Sequence, residues 1–144
     1  MLPELMLLGF AGWTLLLLLT TVGTYRLSRV FLGRAGMSEF PADHIEGQDW
    51  YRRAMRAHAN CLENLSVFAV LVYALRAFGI SEPLVDLLCV LILGARIPQS
   101  LVHVCLVQTD RVVSVRFALF FVQFLCFFGL IAVIALRHWV AAAP

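Results

Sequence analysis

Four long apolar runs limit what this chain can become. They cover residues 5–22, 62–78, 84–107 and 117–140, each near the ~20 residues a helix needs to cross a bilayer. Lipid offers backbone polar groups no partner, so a spanning segment must be a helix or part of a closed barrel. These runs are too long and continuous for barrel strands. The reading is an all-α integral membrane protein, a four-transmembrane-helix bundle forming one domain over residues 1–144. Composition agrees. Of the 144 residues, 62% are hydrophobic and 14% charged, and a soluble domain this small has too little interior to hide that apolar surface.

The helices are expected over about 5–31, 49–78, 84–107 and 112–140. No basic residue precedes the first run and no small-residue cleavage site follows it, so it reads as a permanent anchor and not a signal peptide. Its arginines come after it, at Arg26, Arg29 and Arg34. With Arg52, Arg53 and Arg56 they make the first loop the most basic, and Arg111 and Arg116 mark the third connection. The second loop has Arg76 and the tail Arg137. The positive-inside rule then puts loops one and three in the cytoplasm and both termini outside it. The middle of the first loop, from Gly33 to Asp43, is rich in breakers. Ser81 is a plausible N-cap for the third helix, with Pro83 in its first turn.

A net charge of +2 gives no case for nucleic-acid binding. All eleven basic residues are arginine, whose planar fork of donors suits carboxylates and phosphates. Cys61, Cys89, Cys105 and Cys126 form no CxxC pair and lie in or beside apolar runs. They read as packing residues, with neither a disulfide framework nor a metal site.

The polar residues converge. At 3.6 residues per turn, Asp49, Arg53, Arg56, Asn60, Glu63 and Asn64 fall within an arc of about 100° on helix two. Arg96, Gln99, Ser100 and His103 share a face of helix three, spaced i, i+3, i+4, i+7. Helix four is expected to begin near Arg116, with Gln123 two turns on and on the same face. All three stripes then lie in the cytosolic half of the membrane. An arginine near a helix centre costs about 2.5–3.5 kcal/mol on insertion scales, and intramembrane ionisable groups point to function by default. Arg96 and Glu63 are candidates to pair. Trp13, Trp50 and Trp139 are expected at the membrane interfaces. The phenylalanines of 117–128 read as lipid-facing or packing residues.

The run from Arg52 to Asn64, Arg-Arg-Ala-Met-Arg-Ala-His-Ala-Asn-Cys-Leu-Glu-Asn, resembles the signature of the MAPEG family, membrane-associated proteins in eicosanoid and glutathione metabolism. Ala95-Arg96-Ile97 resembles the family's second motif, in helix three. Arg116-Phe117-Ala118-Leu119-Phe120-Phe121 resembles the start of its fourth helix. Glu39-Phe40-Pro41 and Asp49-Trp50-Tyr51 look like the bacterial branch and suggest a bacterial inner membrane. The resemblance covers nearly the whole chain.

That resemblance implies a homotrimer that binds glutathione between subunits near the cytosolic face. It implies a microsomal glutathione transferase-like enzyme that joins glutathione to lipophilic electrophiles or reduces lipid hydroperoxides, with membrane lipid around it and no metal. Arg56, Asn60 and Glu63 match the glutathione-holding positions of helix two, and Arg96 the arginine of helix three; Arg53 joins them from the same stripe. Arg116 matches the arginine that stabilises the thiolate, with Arg111 as a rival because the spacing from Arg96 allows either. His103 stands where several family enzymes carry a tyrosine at the glutathione site. The alternative is a non-catalytic protein of the same fold that binds lipid or a protein partner. A proton-coupled exporter calls for a lone carboxylate, whereas Glu63 sits among Arg56, Asn60 and Asn64. A quinone-linked thiol oxidase needs paired extracytoplasmic cysteines, which the sequence lacks.

Overall fold

The computed structural model of the protein describes residues 2–40 and 47–142. Pro41 and Asp43, from the breaker-rich stretch, lie outside the described residues. Among those described, every regular element is helical. Helix α1 covers Leu2–Phe31, α2 Asp49–Ala77, α3 Pro83–Cys105 and α4 Asp110–Ala142. All four are long and apolar enough to cross a membrane. The protein is an integral, multi-pass membrane protein.

The helix ends follow from local chemistry. Gly33 and Gly79 have positive φ, 63° and 64°, the left-handed conformation that only glycine adopts without a steric cost. Each lets the chain fold back onto the last carbonyls of a helix. The Gly79 and Ile80 N–H groups reach the carbonyls of Arg76 and Leu75, and those of Gly33 and Arg34 reach Val30 and Arg29. At the start of α4 the Thr109 hydroxyl accepts from the Val112 N–H at 3.4 Å, an N-cap that satisfies one orphan donor. Helix α4 therefore begins at Asp110 and Arg116 lies nearly two turns inside it, further in than the sequence reading had it. A second correction concerns α3. Glu82, not Ser81, occupies its N-cap position and makes no side-chain cap. The Glu82 carboxylate instead pairs with Arg137 of α4.

Helix α1 contains a π-helical turn, Leu18–Gly23. Such a turn shifts the backbone hydrogen bonds by one residue. Threonine hydroxyls donate to the carbonyls around it: Thr20 to Leu16 at 2.7 Å, Thr21 to Leu17 at 2.5 Å and Thr24 to Thr20 at 2.9 Å. These bonds are local, so they satisfy the segment without help from water.

Helix α3 is the centre of the bundle. It packs against each of the other three, most extensively against α4, while α1 packs on α2 and α3. The core holds Phe10, Phe68, Ile92, Phe127 and Leu130, all nearly or fully buried. The Phe68 ring lies 5.9 Å from Phe10 and 6.2 Å from Phe127. Trp13 packs against this core. Trp139 is exposed. Lipid tails are as apolar as leucine, so close packing and polar contacts, more than hydrophobic burial, hold such helices together.

Candidate functional site

Arg96 is the largest fully buried side chain, with 1% of its surface exposed. It sits about 14 Å from the Cys105 end of α3, counting nine residues at the helical rise. Its Nη1 donates to the Asn60 side-chain carbonyl of α2, and its guanidinium lies 5.3 Å from the centre of the Phe10 ring of α1. A cation over an aromatic face is attracted by the ring's quadrupole, more strongly when desolvated. Nε and Nη2 are buried with no hydrogen-bond partner among the described residues. The expected pairing with Glu63 is thus replaced by a bond to Asn60, and Glu63 is exposed on α2. Asparagine is one turn earlier and short enough to meet a guanidinium held inside the bundle.

Next along the same face, the Ser100 hydroxyl donates to the Arg96 carbonyl at 2.9 Å and lies 3.4 Å from the Cys61 sulfur. Gln99 turns toward α4. Its Nε2 donates to the Arg116 backbone carbonyl at 3.3 Å. Gln123, fully buried, donates from Nε2 to Gln99 Oε1 at 3.0 Å and to the Leu119 carbonyl at 2.9 Å. Arg53 Nε reaches the Val104 carbonyl near the end of α3, at 3.4 Å.

Two cavities meet at His103. One, of about 310 Å³, is lined by Asp49, Arg52, Arg53, Arg56, His103, Val107 and Gln108. The other, of about 270 Å³, is lined by Asn60, Gln99, His103, Val113, Arg116, Phe117 and Phe120. His103, 9% exposed, borders both. The first has three guanidinium groups against one carboxylate, an electrostatic match for a small polyanion. The second combines polar groups from three helices with an apolar wall from α4.

The residues singled out by sequence separate as follows. Arg53, Arg56 and His103 border the first cavity, and Asn60, His103 and Arg116 the second. Arg96 is behind them, reaching Asn60. Glu63 is one turn beyond Asn60 and borders neither cavity. Arg111 is exposed and also outside both. Sequence reasoning had Gln99 in the polar stripe of helix three without giving it a role, and did not assign Arg52 or the wall of Val113, Phe117 and Phe120 to the site. A signal for that wall was present, because 113, 116, 117 and 120 follow the i, i+3, i+4, i+7 spacing of one helix face. Among the described residues no three of His, Cys, Asp and Glu are grouped as a metal site.

A model of the MAPEG family matches residues 4–136, nearly the whole chain. No curated protein and no solved structure matches it.

Proposed function

The chain belongs to the MAPEG family, and on that premise we propose that it is a membrane-bound glutathione transferase. Its thiol would be activated at the junction of the two cavities for attack on lipophilic electrophiles. The observation that carries this reading is His103, which borders both the arginine-lined cavity and the one where Arg116 meets Phe117 and Phe120.

Glutathione carries two carboxylates, an ammonium and a thiol. Arg53 and Arg56, with Arg52 beside them, suit the carboxylates. Asp49 in the same cavity offers an acceptor for the ammonium, whereas Glu63 borders neither cavity. The thiol then reaches past His103 toward Arg116. A cysteine-like thiol has a pKa of about 8.5, so only a few per cent is thiolate at neutral pH. Lowering it by about two units takes roughly 2.7 kcal/mol of preferential anion stabilisation, which one arginine in a poorly hydrated site can supply. His103 keeps a hydrogen-bonding group where relatives use tyrosine. Asn60, Arg96 and Gln99 hold the wall of the site.

The electrophile arrives from the bilayer against Val113, Phe117 and Phe120. The thiolate sulfur forms a bond to its electrophilic carbon, and the displaced group leaves with the electron pair. Against a lipid hydroperoxide the thiolate attacks oxygen and breaks the O–O bond; a second glutathione completes the disulfide, giving an alcohol and water. Holding both partners in one place converts a two-body encounter into a local step.

Arg56 and Glu63 are exposed on α2 within a lipid-facing bundle, where an uncovered charge is costly. A neighbouring subunit would cover them, which favours a homotrimer with glutathione between subunits. Loop charge favours both termini outside the cytoplasm, and the resemblance of Glu39-Phe40-Pro41 and Asp49-Trp50-Tyr51 to the bacterial branch favours a bacterial inner membrane.

The test is steady-state turnover over a panel of electrophiles and lipid hydroperoxides, with Arg116→Ala beside the natural protein. The proposal expects turnover that Arg116→Ala lowers with little change in glutathione affinity, as loss of a transition-state interaction requires. No turnover and no glutathione binding would leave the non-catalytic reading, with lipid or protein as the partner.

A further inference from the structure

We infer that Gln123 is a positioning residue for Arg116, acting through Gln99 on the helix turn that carries the guanidinium; this rests on the glutathione reading above. Gln123 borders neither cavity, so it does not meet a ligand directly. It is 0% exposed, and Gln99 is 7% exposed. The chain of bonds is unbroken from one to the other and on to the Arg116 carbonyl: 3.0 Å from Gln123 Nε2 to Gln99 Oε1, then 3.3 Å from Gln99 Nε2 to Arg116 O.

The physical need for such a clamp lies in α4 itself. Around Arg116 the outer surface of α4 is a ladder of phenylalanines, with Phe117 and Phe121 centred 6.1 Å apart and Phe124 and Phe128 4.8 Å apart. Apolar side chains in lipid define the rotation and height of a helix weakly, because lipid replaces them at little loss. A directional amide bond does not tolerate such slack. One residue of slip moves the helix about 1.5 Å and turns it about 100°, which breaks both the bond Gln99 donates to Arg116 and the one it accepts from Gln123. Both N–H groups of Gln123 are engaged, one with Gln99 and one with Leu119, so the amide has one orientation in which all its donors are satisfied. Arg116 lies seven residues before Gln123, two turns along the same face. The clamp therefore fixes the position of the helix turn from which the Arg116 side chain enters the cavity.

The test uses Gln123→Met, similar in length and unable to hydrogen-bond, in the full-length protein with glutathione. The readout is the pH titration of the bound thiolate's ultraviolet absorbance, with kcat and KM alongside. A lost clamp raises the midpoint by about one pH unit, a tenfold loss of thiolate below it, and lowers kcat while KM for glutathione stays within about twofold. Titratable and charged groups bordering the cavities are Asp49, Arg52, Arg53 and Arg56 on α2, His103 on α3 and Arg116 on α4; the clamp touches only the last. In an Arg116→Ala background, Gln123→Met should therefore add nothing, whereas a general loss of stability would add in full. Gln123→Leu, which also borders neither cavity, is read in the same way if Gln123→Met fails to insert. An unmoved midpoint, or an additive double mutant, overturns the inference while the glutathione reading stands. A natural protein that forms no thiolate overturns both.

Discussion

Arg96 and Arg116 are both arginines inside a membrane bundle, yet their surroundings divide the work between them. Arg96 is sealed between Asn60 and Phe10, so it shapes the site from behind. Removing its partner leaves a buried guanidinium with one bond fewer. Asn60→Leu is expected to destabilise the protein by about 1–3 kcal/mol, the range for orphaning a buried polar group, as read from denaturant unfolding in detergent. Arg116 is half-buried and open to the cavity. Arg116→Ala is expected to lower kcat about 100-fold, the equivalent of roughly 2.7 kcal/mol, with glutathione affinity by calorimetry changed less than about threefold. Arg111→Ala should leave both within about twofold, because Arg111 borders neither cavity; the opposite pattern would move the role to Arg111. Sequence spacing alone could not separate these two, since helix phase near a cap depends on where the helix starts. Asn60, Arg96 and His103 were legible as residues of polar stripes. Which partner Arg96 takes was not, because a wheel gives direction around an axis and not the gap between two helices.

Among the helices, the apolar runs made the four spans legible, since length and hydropathy are what a bilayer demands. The π turn in α1 was hidden. Leu18–Gly23 is as apolar as its neighbours, and only the cluster Thr20, Thr21 and Thr24 hints at extra carbonyls needing donors. The α4 cap at Thr109 was hidden as well, because a single hydroxyl before a charged turn is a weak signal. The glycines separate into two kinds. Gly79 has open space where a Cβ would go but a φ of 64°, so Gly79→Ala should cost about 1 kcal/mol through backbone conformation alone. Gly12, in α1, has nothing within 4 Å of an added Cβ and no positive φ. Gly12→Ala should stabilise by up to about 1 kcal/mol through helix propensity. Thermal unfolding of the pair checks both signs; equal signs would contradict this account of the helix ends.

For the whole molecule, α3 touches every other helix, and the two cavities open where its later half meets α2 and α4. The sequence could place three polar stripes at similar depth, because helix direction alternates with each crossing. It could not show that His103 would stand between two cavities, which depends on how the helices cross. The proposed orientation predicts that a membrane-impermeant thiol reagent modifies Ser81→Cys on intact cells and Ser38→Cys only after permeabilisation, in a Cys105→Ser background; the reverse would invert the topology. The proposed trimer predicts a cross-linking ladder in membranes that ends at three copies. The central claim is that the protein makes glutathione into a thiolate, and the most direct measurement is ultraviolet difference absorbance of the purified protein titrated with glutathione at neutral pH. The account predicts a saturable thiolate band that Arg116→Ala abolishes. Absence of that band in the natural protein, with no calorimetric binding, would contradict it.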